Sequence, residues 1–163
     1  MESIQTVSDS VWKSPIIGAM KLNVDATFYP TSREAGLGMV VRDHMGEVHL
    51  CAVTRVENIE SPLHAELTAI LFGIKEAVSI KHPYLIVESD SLMAVREIEK
   101  QRESFCEWES IILDILEISR EFWSCKFSHT RRSANSFAHN MARLGTVLGD
   151  FYVWRNSWPP IFL

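Results

Sequence analysis

Three acids in this 163-residue chain stand where a folded sheet could gather them: Asp25, Glu66 and Asp90. Asp25 lies on the polar phase of an alternating segment, Glu66 one turn into an amphipathic stretch, and Asp90 just after an apolar run. Ligands bind beyond the carboxyl ends of parallel strands in an open α/β sheet, so acids at two such ends and on the adjoining helix would face one ligand. Taken singly, each acid reads as an ordinary solvated residue, and spacing alone leaves the choice open. His64-Ala65-Glu66 has the His-x-Glu of zinc deaminases, but no Pro-Cys-x-x-Cys follows it, which excludes that chemistry. Cys51, Cys106 and Cys125 are odd in number, widely spaced and free of any Cys-x-x-Cys pair, and so read as free thiols rather than a disulfide framework or zinc site.

The elements that must position these acids follow from periodicity. Residues 20 to 28 alternate as a strand, Gly36 to Asp43 make a second, and Asp43-His44-Met45-Gly46 turns the chain into a third at 47 to 57. Ser61 before Pro62 is a helix N-cap with proline at the first position, and Leu63, Leu67, Ile70, Leu71, Ile74 and Ala77 keep the helical period to about Ile80. Tyr84 to Val87 is a continuous apolar run, expected as a strand covered on both faces and ending in Glu88-Ser89-Asp90. Helices are predicted at 91 to 100 and 105 to 121, a fifth strand at 123 to 128, and a last helix from Ala134 with Gly145 as its stop signal. The order implies an α/β fold: a five-stranded mixed sheet with helices on both faces. Residues 1 to 19 read as an N-terminal extension, 20 to 147 as the domain, and 148 to 163 as an apolar tail packing on the domain or on a partner.

With 47% hydrophobic and 23% charged residues, the composition is that of one globular domain. No apolar run approaches the roughly 18 residues a membrane span needs, so no membrane association is expected. The first twenty residues lack a basic start followed by an apolar core, which points to an intracellular address, nucleus or cytoplasm, rather than secretion. Net charge is −5, against the basic footprint of an avid nucleic-acid binder. The imbalance is local: from Glu97 to Glu121 eight acids oppose three bases, whereas Phe122 to Gly149 carries Lys126, Arg131, Arg132 and Arg143 with no acid. Arg131 and Arg132 precede the last helix, where guanidinium forks suit phosphate geometry; an ordinary solvated loop explains them equally well.

Five ordered motifs resemble those of the ribonuclease H fold, and within it the plant ribonuclease H-like domains related to those of non-LTR retroelements. They are Lys21-Leu22-Asn23-Val24-Asp25, the run Gly36 to Asp43 with Gly46, Ala65-Glu66-Leu67 with Ala69, Glu88-Ser89-Asp90-Ser91, and Arg131-Arg132 with Asn135, Ala138-His139 and Met141-Ala142. Trp12-Lys13 with Pro15, and Trp158-Pro159-Pro160, look like the flanks of these plant domains.

The resemblance implies a metal-dependent endonuclease cutting the RNA strand of RNA–DNA hybrids with two Mg²⁺ or Mn²⁺ ions. Asp25, Glu66 and Asp90 would be catalytic metal ligands, because hard cations take oxygen donors and two ions stabilise both the attacking and the departing oxygen of a phosphodiester. Active members commonly place Asp four residues after the matching Asn, and here that position is His139. Imidazole can ligate Mn²⁺ or act as a base, so His139 joins the catalytic and metal-binding set, with Mn²⁺ preferred. Arg131, Arg132, Asn135 and Ser91 are the expected nucleic-acid contacts, and His129 is comparable with the mobile histidine of cellular ribonucleases H. The short connection Gln101 to Ser104 leaves no room for a basic hybrid-binding handle, and the acidic helix beside it repels a duplex, so hybrid affinity should be low. The alternative is a domesticated, weakly catalytic or inactive module binding nucleic acid or a protein partner, and the apolar tail leaves a homodimer open.

Overall fold

The computed structural model describes residues 11 to 100 and 107 to 160. Strand β1 (Met20–Tyr29) pairs antiparallel with β2 (Glu34–Arg42), and β2 pairs antiparallel with β3 (Val48–Val56). Helix α1 (Pro62–Ala77) then carries the chain to β4 (Tyr84–Ser89), which lies parallel to β1. Helices α2 (Leu92–Glu99) and α3 (Glu109–Ser119) lead to β5 (Ser124–His129), parallel to β4. Helix α4 (Ser136–Leu148) and a last strand, β6 (Tyr152–Arg155), complete the sheet in the order β5-β4-β1-β2-β3-β6.

The sheet therefore has six strands rather than the expected five. The extra one comes from the tail, where Leu50 to Val53 of β3 pair with Tyr152 to Arg155. Four residues of strand offer too little alternation to register as a pattern, and the pairing that makes them a strand is supplied by a distant partner.

Local chemistry sets the helix ends. Ser61 caps α1, its hydroxyl accepting from the His64 N–H at 3.1 Å, and Ser91 caps α2 in the same way from Ala94 at 3.2 Å. The last helix does not stop at Gly145. It runs to Leu148 and ends at Gly149, whose φ of +70° is the left-handed conformation that glycine adopts without strain. Gly145 has a packing role instead: a Cβ there would lie 2.7 Å from the Thr54 carbonyl oxygen. In sequence the two roles look alike.

Helices cover both faces of the sheet. Leu22 and Val24 of β1 point toward α1, where Gly73 leaves room for Val24, and join the large core with Leu37, Ile70 and Ile74. On the other face α4 lies so close to β2 that side chains at Gly36 or Gly38 would collide with its backbone, and Met141 packs with Val40, Cys51 and Val53. Asn23 and Asp25 alternate with Leu22 and Val24, so they stand on the α4 side.

Gln101 to Ser104 and Cys106 lie outside the described residues, as does the start of the helix expected at 105. Among the described residues no helix is long and apolar enough to cross a membrane.

Candidate active site

The parallel ladder between β1 and β4 ends at the pair Val24 and Ser89. Asp25 and Asp90 are the next residues, placed where the two strands cease to hold each other and a side chain from above the sheet can enter. That side chain is Glu66, four residues beyond Pro62 at the start of α1. One ligand oxygen from each of Asp25, Glu66 and Asp90 falls within 4.8 Å of the others, and the three line one open depression of about 380 Å³ together with Ser91 and Arg132.

The cluster is electrostatically unsatisfied. Asp25 is only 3% exposed, and one oxygen of Glu66, Oε2, is buried with no hydrogen-bond partner. Burial first, then the neighbouring Asp25 and Asp90, push the Glu66 carboxyl far above the usual carboxylate range. Asp90 is raised by burial and by Asp25, with Arg132 and His139 pulling the other way. Three acids with an orphaned buried oxygen fit a divalent cation, which supplies the positive charge and the oxygen-directed coordination that the protein leaves missing.

His139 reaches the same place from α4, its Nδ1 2.8 Å from Asp25 Oδ2. Only an N–H on Nδ1 satisfies that carboxylate, which leaves Nε2 on the far side of the ring. The four residues expected to act together, Asp25, Glu66, Asp90 and His139, are thus drawn from β1, α1, the end of β4 and α4.

The expected nucleic-acid contacts divide. Arg132 is exposed beside the acidic depression. Arg131 lines a neighbouring depression of about 460 Å³ with Lys13, Lys21, Glu88, His129 and Thr130. Ser91 has its oxygen engaged as the α2 cap and keeps its hydroxyl hydrogen to donate. Asn135 does not reach solvent. It is 1% exposed, its Nδ2 donates to the Val24 carbonyl at 2.9 Å, and its Oδ1 accepts from Asn23 Nδ2 at 3.0 Å. Its amide is spent fastening the start of α4 to β1, next to Asp25, and the expectation of a nucleic-acid contact is corrected.

Sequence reasoning missed the rest of that fastening. Asn23 Oδ1 accepts from Trp12 Nε1 at 2.9 Å and from Arg42 Nη2 at 3.2 Å, and Asn23 Nδ2 also donates to Glu88 Oε1 at 3.0 Å. Lys21 Nζ lies 3.2 Å from Glu88 Oε2. The one available signal was the polar phase of β1, Lys21-Asn23-Asp25, which here faces α4 rather than solvent. Two further histidines are taken up locally: His64 stacks on Trp108 with ring centroids 4.2 Å apart, and His49 pairs with Asp43 at 2.8 Å.

The sequence matches the family described as Reverse transcriptase-like over residues 23 to 145, a span holding all three acids, Asn135 and His139. No curated protein matches it. Among solved structures, the N-terminal RNase H domain of Rv2228c from Mycobacterium tuberculosis is 16% identical, with 80% of this chain and 95% of that one covered at a TM-score of 0.72. RNase H1 of the archaeon Halobacterium salinarum is 14% identical, with coverage of 80% and 98% and a TM-score of 0.73. LC11-RNase H1, solved with an RNA/DNA hybrid, is 17% identical, with coverage of 79% and 99% and a TM-score of 0.69. At these identities the likeness is one of fold, which agrees with the sheet order and crossovers described above. By its sequence match the chain belongs to the Reverse transcriptase-like family, and it is a ribonuclease H-like domain.

Proposed function

We propose that this domain is a divalent-metal-dependent endonuclease that cleaves the RNA strand of RNA–DNA hybrids. The observation that carries the reading is the convergence of Asp25, Glu66 and Asp90 around the unpartnered Glu66 oxygen. Asp25, Glu66, Asp90 and His139 would hold two Mg²⁺ or Mn²⁺ ions, and Asp25 is the most buried of the three acids. When bound, such a pair stabilises the charge that develops on the attacking and the departing oxygen of the phosphodiester.

The chain's own groups do the rest. Without an ion, Asp25 keeps His139 oriented at the rim of the site through Nδ1–H; as a ligand, His139 would carry its proton on Nε2 instead and offer the Nδ1 lone pair. Arg132, beside Asp90, takes a phosphate oxygen of the substrate, and Arg131 and Ser91 extend that contact along the backbone. Asn135 contributes by fastening α4, not by touching the substrate. With net charge −5 and few basic side chains near the cleft, hybrid binding is weak and salt-sensitive. A nuclear or cytoplasmic workplace fits such a substrate.

A second reading, an inactive or weakly catalytic module that binds nucleic acid or a protein partner, is favoured by the His139–Asp25 contact, which engages an oxygen of one of the three carboxylates that would hold a metal. A panel of labelled RNA–DNA hybrid, duplex RNA, duplex DNA and single-stranded RNA, each incubated with Mg²⁺ or Mn²⁺, tests between them. Nuclease action predicts cuts in the RNA strand of the hybrid alone; the second reading predicts binding without cuts.

A further inference from the structure

We propose that Trp12 and Trp158, which flank the family-matched segment on either side, are positioning residues for His139, acting through a stack that runs Trp12, Arg42, Phe137, Trp158; the inference rests on the nuclease reading above. The Arg42 guanidinium carbon lies 3.9 Å from the Trp12 ring centroid and 5.2 Å from that of Phe137. Phe137 in turn meets the Trp158 ring at 4.7 Å, tilted by 33°. Arg42 is 4% exposed and its Nε has no hydrogen-bond partner, so the rings on its two sides, with one bond from Nη2 to Asn23, hold it where it is.

The stack ends on the first turn of α4. Phe137 is that helix's second residue and His139 its fourth, roughly 200° further round, so fixing Phe137 toward the flanks sets the rotation that aims His139 at Asp25. That turn needs an outside restraint, because Asn135, in the N-cap position, makes no side-chain cap bond to α4 and gives its amide to β1 instead. Trp12 acts at both anchor points, since its Nε1 donates to Asn23, which bonds Asn135. Trp158 is held independently against Val40, Cys51, Val53 and Met141. The start of α4 is therefore clamped from the β1 side by amides and from the outer side by rings contributed by both flanks.

Long-range proton–nitrogen spectra of the histidine rings in the metal-free full chain give the readout that activity alone does not. The expected result is a His139 Nδ1 proton, hydrogen-bonded to Asp25, visible in the wild type, weaker in Trp12→Phe, which keeps a ring over Arg42 but loses the bond to Asn23, and lost to exchange in Trp12→Ala. In hybrid cleavage, Trp12→Ala should lower kcat by about 10- to 100-fold with KM within about twofold, the size of effect a small misplacement produces. In a His139→Ala background the same substitution should change kcat by less than about twofold, because the residue it positions is gone. If Trp12→Ala does not fold, Trp158→Ala carries the same expectations from the other end of the stack. An unchanged His139 signal, or an equal loss of kcat with and without His139, would overturn the positioning role. A signal that responds as described in a protein that cleaves nothing would support the positioning and contradict the nuclease reading.

Discussion

His139 and Asp25 are separated by 114 residues and joined side chain to side chain at 2.8 Å. The contact makes α4 part of the acidic site and sets an imidazole beside its three carboxylates. Nitrogen donors suit Mn²⁺ better than Mg²⁺, which keeps to oxygen. Hybrid hydrolysis is therefore expected to be faster with Mn²⁺, and His139→Asp is expected to move the preference toward Mg²⁺. Initial rates across both metals check this, and an identical metal profile in the variant would remove His139 from the ligand set.

The raised Glu66 carboxyl makes the metal-free protein sensitive to pH. Its folded pKa exceeds its ordinary value of 4.5, so above that pH the folded chain binds more protons than the unfolded one and stability falls as pH rises. Melting temperature without metal should decline from about pH 5 through the neutral range. Glu66→Gln, which removes the acid but keeps its size, should flatten that decline and raise the melting temperature at pH 8. Added Mn²⁺ should stabilise the wild type more at pH 8 than at pH 6, and Glu66→Gln less at either pH, since cations and protons compete for the same oxygens.

Gly145 sets how closely α4 approaches the sheet. Alanine in a helix interior gains up to about 1 kcal/mol over glycine, but a Cβ 2.7 Å from the Thr54 carbonyl oxygen meets backbone that cannot rotate away. Overpacking costs about 1 to 3 kcal/mol, so Gly145→Ala should be net destabilising, with a lower urea midpoint at unchanged slope. A midpoint equal to or above that of the wild type would show that the helix can shift at no cost.

Periodicity placed each acid, Asp25 on the alternation of β1, Asp90 at the end of an apolar run and Glu66 one turn after a Ser-Pro helix start, but left open whether they act together; that expectation came from the resemblance to ribonuclease H motifs. Fold class followed from element order. What escaped depends on partners far away in the chain. Asn135 read as a nucleic-acid contact and Arg42 only as part of a strand, and the arrival of Asn23, Trp12 and Phe137 is what makes burying them tolerable. Tyr152 to Arg155 become a strand because β3 has a free edge, and nothing within those four residues says so.

That free edge explains the tail. Residues 152 to 155 pair with β3, Phe151 meets Phe72 edge to face, and the Cys51 thiol donates to the Ser157 carbonyl, all within one chain. Deleting residues 150 to 163 should lower the melting temperature by several degrees while the molecular mass by light scattering falls only by the residues removed. A halved mass would instead reveal that the tail joins two copies.

The most direct test of the central claim compares the wild type with Asp90→Asn on a labelled RNA–DNA hybrid in Mn²⁺, at low salt and with cleavage followed on the RNA strand. Asparagine keeps the size of the side chain but removes an anionic ligand from the cluster. The expected result is RNA-strand cleavage by the wild type that depends on the metal, with loss of at least about 100-fold in Asp90→Asn while hybrid binding persists. Equal cleavage by both proteins, or none by the wild type in either Mn²⁺ or Mg²⁺, would contradict catalysis at Asp25, Glu66 and Asp90.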